Sequence, residues 1–305
     1  MWFVFALITF FAWGAADLFY KRGADESDRY SHLKTSIAVG LVMGAAAIVT
    51  LIVKRVPYDP INLILYLPVS AMYILSMTVG YLGLKYLELS VSSPVQNASG
   101  AVAAILLIPV LRELPDALSL IGLLLVTTGV ILLGVFEREK DLTADKKYRV
   151  GFKAFFLPVA YCVIDSLGTF LDGYYLDDPE KTPLAGVTAE TLEDVANISY
   201  QLTFLIIALI LMVWIYLIKK QKPSFGFVKS RFAAALLETG GQLAYVYALS
   251  GNGIVAAPVI SAYCVASVVL ACIFLKEKLP ARQYIPIGLV FAGIILLAVI
   301  EAAGM

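Results

Sequence analysis

Residues 90–115 read SVSSPVQNASGAVAAILLIPVLRELP, and residues 252–280 read NGIVAAPVISAYCVASVVLACIFLKEKLP. Slid over one another by 164 residues, without gaps, they place Pro94 on Pro258, Leu111 on Leu275 and Glu113 on Glu277, with Arg112 meeting Lys276. Carried outward, the same register sets Tyr81 on Tyr245 and Gly129 on Gly293. The apolar identities (Ile131 with Ile295, Leu132 with Leu296, Leu133 with Leu297) carry little weight in so greasy a chain. The Pro, Glu and Gly matches are hard to reach by chance, so the chain contains an internal repeat.

Composition sets the solvent. Of 305 residues, 60% are hydrophobic and 15% charged, with a mean hydropathy of +0.86. Soluble domains run about 45–50% apolar and about 25% charged. Runs of about 20 apolar residues cross a hydrocarbon core roughly 30 Å thick. They fall here at about 2–20, 33–53, 62–84, 94–111, 118–136, 152–172, 197–218, 230–250, 254–275 and 284–303. The first lacks the basic start and small-residue site of a cleaved signal peptide. The expected fold is an all-α polytopic membrane protein of ten transmembrane helices.

The repeat divides those ten runs into two halves of five, residues 1–136 and 150–305, joined by a basic linker at 137–149. Five is odd, so the second half enters the membrane from the opposite side. Two inverted five-helix repeats are an architecture of secondary transporters, whose substrate site lies near the midplane between the halves.

Each half carries a short fourth helix opened by Pro and closed by a Leu-basic-Glu turn, followed by a Gly-containing helix. In these features the chain resembles the drug/metabolite transporter superfamily, closest to its EamA-like ten-helix type. The resemblance covers nearly the whole chain and implies a bundle with a central cavity and alternating access. It leaves the substrate open, because members carry amino acids, drugs, choline, sugars or nucleotide sugars.

Polar residues inside the apolar runs locate the candidate site. The stretch YCVIDSLGTFLDGYY, residues 161–175, puts Tyr161, Asp165, Thr169 and Asp172 on one side of a helix. Asp165 lies near mid-span; Asp172, near the end, is read as solvated or as capping the following loop. Glu238, Gln242 and Tyr245 form a second stripe, and Trp13, Asp17 and Tyr20 a third. Ser93, Gln96, Asn97 and Gly100 on one face of the fourth run, Asn197, Tyr200 and Gln201 in the seventh, and Tyr81 by its repeat match complete the set. In lipid such residues must face the bundle interior or a wet cavity. The candidate substrate- and proton-binding residues are therefore Glu238, Asp165, Asp17, Trp13, Gln242, Tyr245, Tyr81, Gln96, Asn97, Tyr161 and Gln201. Local alternatives stand beside three of them: Asp17 lies one turn from Lys21, Asp165 one turn from Tyr161, and Glu238 could be a structural hydrogen-bonding group. Glu113 and Glu277 are read as caps of the helices that follow them.

A desolvated carboxyl binds a proton or a cation, and the two compete for it. An acidic, aromatic lining thus favours a small cationic or zwitterionic metabolite, such as an amino acid or quaternary amine, with protons as coupling ion. Net charge is zero, so no basic surface for nucleic acid is expected. One histidine, His32, and three scattered cysteines give no metal pattern, and no cofactor is expected. The rival readings are a flippase for a lipid or lipid-linked sugar, and an intramembrane aspartyl-type enzyme pairing Asp165 with Asp17 or Asp172. No HExxH or GxSxG motif supports an enzyme. The chain is expected in the plasma (inner) membrane as a monomer or homodimer. Loops after the odd-numbered runs hold nineteen of the 23 Lys and Arg, and the remaining four fall on the other side. The positive-inside rule then puts both termini outside, against the usual orientation of the resembled family.

Overall fold

The computed structural model describes residues 1–141, 151–221, 225–278 and 281–303. In chain order its helices are α1 (Trp2–Gly23), α2 (Ser31–Lys54), α3 (Asn62–Leu65), α4 (Leu67–Gly83), α5 (Leu89–Gln96), α6 (Ser99–Leu111), α7 (Ala117–Asp141), α8 (Gly151–Asp177), α9 (Leu192–Met212), α10 (Phe225–Ser261), α11 (Tyr263–Leu270) and α12 (Tyr284–Ala303). Wider π-type turns extend α9 and α11, and no strand occurs among the described residues. Among the described residues, seven helical runs are long and apolar enough to cross a membrane, one of them the 50-residue run Gly226–Leu275. Leu67–Gly83 and Ala117–Leu133 are shorter apolar helices. The protein is a polytopic membrane protein.

Large apolar side chains face outward along these helices: Ile52, Leu124, Leu236, Ile285 and Ile295 are each more than half exposed. In water that would be an aggregation hazard; against lipid tails it is the favourable arrangement. Buried among the helices instead are Gln96, Asn97, Asp172, Asn197, Gln201, Glu238 and Gln242.

The repeated residues have local causes. Arg112 and Lys276, matched by the repeat, both adopt the left-handed conformation (φ 58° and 59°) that ends a helix sharply. Gly129 and Gly293 sit at the α7–α12 seam, where an added Cβ would lie 2.6 Å from Val290 and 2.7 Å from Val126 respectively. Glycine is required there because the two backbones run too close for any side chain.

Four expectations are corrected. The fourth helix opens at Leu89, not at Pro94: Pro94 lies inside α5, where it removes a helical N–H, and α5 stops at Gln96. Glu277 caps α5 across the bundle rather than the helix after it, accepting from the amides of Leu89 (3.3 Å) and Ser90 (3.0 Å). At the start of α7 the cap is Asp116, not Glu113; Asp116 accepts from the amides of Leu118 and Ser119 at 2.9 and 3.0 Å. α10 spans the eighth run and the start of the ninth and breaks between them at Asn252 (φ −170°, ψ 81°), whose side chain accepts from the Val255 amide at 3.2 Å. α7 also reaches Asp141, into the expected linker; residues 142–149 of that linker, with Lys146, Lys147 and Arg149, lie outside the described residues, as does Lys222.

Helix pairing places the site. α1 lies along α10, α4 along α8, α2 along α9 and α7 along α12, while α5 and α6 pack against α11 and α10. Chain direction follows from the ends: Trp2 meets Gly251, and Gly23 meets Arg231, so α1 and α10 are antiparallel.

Candidate functional site

Three carboxyl groups converge on one internal cavity. Asp17 of α1 is held by two hydroxyls from different helices, Ser93 of α5 and Ser267 of α11, each donating at 2.7 Å. Asn97 in turn donates to the Ser93 hydroxyl at 3.2 Å. Asp165 of α8 accepts from Ser99 at 2.7 Å and Ser76 at 3.2 Å. Glu238 of α10, 8% exposed, receives the Tyr20 hydroxyl at 3.4 Å. None of these bonds comes from a cation. The nearest basic side chains are engaged elsewhere: Arg231 donates to the Gly23 carbonyl and the Ser31 hydroxyl, and Lys21 to the carbonyls of Leu84 and Leu87.

Aromatic rings make the walls. Trp13 packs on Tyr245 at 5.0 Å between centroids and edge-on to Tyr263 at 5.7 Å, and its indole N–H donates to the Glu238 carbonyl at 3.2 Å. Gly241 makes room for it, since an added Cβ would lie 2.5 Å from the indole ring. Tyr20 packs on Tyr81 at 4.6 Å. On the opposite side of the cavity the Tyr73 and Tyr245 hydroxyls meet at 2.5 Å, and Tyr73 also donates to Thr169 at 3.1 Å. A cavity of about 50 Å³ lies between these side chains. Among the described residues, its lining includes no Lys or Arg.

Ten of the eleven candidates from the sequence line this cavity: Glu238, Asp165, Asp17, Trp13, Gln242, Tyr245, Tyr81, Gln96, Asn97 and Tyr161. Gln201 is not among the lining residues; it is fully buried on α9, and neither side-chain polar atom has a hydrogen-bond partner. Asp172 also departs from expectation. It is neither solvated nor a loop cap but 0% exposed, and the Tyr66 hydroxyl donates to its Oδ1. The two carboxylates suspected as an aspartyl-enzyme pair with Asp165 are therefore held by their own hydroxyl partners, Asp17 by serines and Asp172 by Tyr66.

Sequence reasoning named Ser93 but missed Ser76, Ser99 and Ser267, the other serines that hold the carboxylates, and Tyr73 and Tyr263 in the wall. Two signals pointed to them. Tyr73 lies two turns before Tyr81 on the same face, and the 164-residue register sets Ser99 on Tyr263.

The EamA-like transporter family matches residues 1–135 and 182–299. The chain belongs to the EamA-like transporter family. A search of curated proteins returned no match. Among 27 matching chains of solved structures is one described only as "Crystal structure of protein", with a TM-score of 0.65 at 14% identity, covering 98% of this transporter and 96% of that chain. At that identity the likeness speaks for the fold alone. This EamA-like transporter thus places its three cavity carboxylates in a membrane bundle whose family moves solutes.

Proposed function

We propose that this EamA-like transporter is a secondary active transporter that carries a small cationic or zwitterionic metabolite across the plasma membrane by alternating access, with protons as the coupling ion. One observation carries the reading: Asp17, Asp165 and Glu238 line a single cavity without a lysine or arginine among its lining residues. A carboxylate deprived of water and of a cationic partner is strongly disfavoured, so it takes up a proton or draws in a cation. Competition between the two at one site couples their movements. Rings of Trp13, Tyr20, Tyr81 and Tyr245 add faces on which a quaternary or primary ammonium group gains cation–π attraction.

The ten-helix, inverted-repeat arrangement belongs to the same proposal. Six spanning runs, the 50-residue run that is long enough to cross twice, and two shorter apolar helices make ten crossings. The helix pairing supports the two-fold relation: exchanging the halves 1–136 and 150–305 turns the α1–α10 contact into the α8–α4 contact and leaves the others in place. By charge, both termini lie outside the cytoplasm.

The test is direct. A thermal-shift screen of the purified protein against amino acids and metabolite amines, at two pH values, supplies the ligand. Glu238→Gln then keeps shape while removing the charge. It is expected to fold, to lose proton-coupled transport in proteoliposomes, and to bind ligand with little pH dependence; Asp165→Asn is expected to show a weaker form. Wild-type transport and pH dependence in Glu238→Gln would make Glu238 a structural residue and refute the coupling scheme.

A further inference from the structure

The Tyr73 and Tyr245 hydroxyls meet in the cavity lining beside Thr169, and one turn of α8 beyond Thr169 lies Asp172, outside the lining. We propose that Asp172 is a second carboxylate station of the transport route, the counterpart of Asp17 at the opposite end of the bundle, exchanging a proton with water on the far side of the Tyr73–Tyr245 contact. This rests on the transporter reading given above.

Three observations carry it. The first is sequence. Asp17-Leu-Phe-Tyr20 and Asp172-Gly-Tyr-Tyr175 share their Asp and final Tyr and have an aromatic residue before it, at a shift of 155 residues. The 164-residue register independently pairs Tyr81, beside Tyr20, with Tyr245. Asp172 therefore stands to the second half as Asp17 stands to the first.

The second is position along α4. Tyr81, near its C-terminal end, packs on Tyr20, and Lys21 reaches the carbonyls of Leu84 and Leu87 at the same end. Tyr66, at its N-terminal end, bonds Asp172 and packs on Tyr175 at 5.8 Å. Fifteen residues of helix separate Tyr66 from Tyr81, about 22 Å at 1.5 Å per residue. Asp17 thus lines the cavity toward one end of α4, and Asp172 lies outside the lining toward the other.

The third is the carboxyl group itself. It is 0% exposed, Oδ1 takes the Tyr66 hydroxyl, and Oδ2 is buried with no hydrogen-bond partner. An aspartate serving only to tie α8 to α4 would have both oxygens satisfied. The titratable groups that act on it are Tyr66 and Tyr73 from the α3–α4 segment, Tyr200 from α9 and Tyr245 from α10. All are neutral or acidic, so the proton at Oδ2 is the natural neutralising partner.

The experiment uses the full chain in proteoliposomes, with Cys162, Cys264 and Cys272 replaced by Ser. Asp17→Cys and Asp172→Cys variants are treated with a membrane-impermeant trimethylammonium methanethiosulfonate, added to one face or the other. The thiol of the Asp172→Cys variant is expected to react from one face only, and that of Asp17→Cys from the opposite face. Reaction of both from the same face, or of Asp17→Cys alone, overturns the proposal while leaving the transporter reading standing; failure of both from either face removes the route itself. Should Asp172→Cys not insert, Asp172→Asn gives the second measurement. Infrared titration of the wild type is expected to show a protonated-carboxyl band that is lost in Asp172→Asn, and identical bands at every pH would overturn the assignment.

Discussion

The two serines on Asp17 offer a graded measure of that carboxyl's charge. Ser93 and Ser267 each donate to the same oxygen at 2.7 Å, one from α5 and one from α11. Side-chain hydrogen bonds between helices in membranes average about 0.6 kcal/mol and reach about 1.7. A bond to an ionised group is worth about 1.5–3 kcal/mol. Ser93→Ala should therefore destabilise the bundle by about 0.6 kcal/mol while Asp17 carries a proton, and by about 1.5–3 kcal/mol once it is a carboxylate. The destabilisation grows as pH rises, because only the charged form loses a charge-assisted bond. In the Ser93→Ala/Ser267→Ala double variant the loss should exceed the sum of the singles at high pH, since the first deletion leaves a remaining donor and the second leaves none. Equilibrium unfolding in mixed detergent–SDS micelles, repeated across pH, measures all three variants. A small loss that stays flat with pH would show that Asp17 never changes charge in the folded protein and is no proton carrier. No loss at any pH would refute the bonds themselves.

Glu277→Ala should destabilise the protein by about 1–2 kcal/mol, because it removes the carboxylate from two amides at the start of α5; Glu277→Gln should lose less, and a thermal melt separates them. Gly129→Ala and Gly293→Ala should each destabilise by about 1–3 kcal/mol through overpacking at the α7–α12 seam, against little effect from Gly240→Ala, where an added Cβ meets nothing within 4 Å. Gly241→Ala should displace Trp13 and weaken ligand binding more than it lowers stability, as a binding isotherm beside a melt would report. A terminal reporter active only outside the cytoplasm is expected from the charge distribution; activity only inside reverses the orientation without disturbing the helix pairing.

The all-helical membrane fold was legible because lipid imposes simple rules: a long apolar run marks a spanning helix, and a polar residue at helical spacing must turn inward. The repeat was legible at Pro94, Arg112 and Gly129 because each match answers a backbone need, a helix interruption, a turn or a close approach. What stayed hidden was contact across the bundle. Glu277 lies beside its own following helix in sequence, so nothing local reveals that it caps α5 instead. Ser93 stood out on a polar face, but Ser99, Ser76 and Ser267 looked like the small residues any membrane helix carries; only packing turns their hydroxyls onto aspartates. Asp172 was misread for a similar reason. Distance from a helix end suggested water, but Tyr66 from another segment covers it.

Trp13 has a consequence for how the protein can be watched. The chain holds three tryptophans. Trp2 lies against Gly251 at one end of the bundle and Trp214 against Tyr30 at the other, so Phe at both positions leaves the cavity indole as the single emitter. Its N–H is bonded to the Glu238 main chain and its ring to Tyr245. A solute arriving beside Glu238 must alter the polarity and stacking that this indole senses. The protein thus carries its own optical probe of occupancy, and its emission wavelength can follow loading and unloading in real time without a dye.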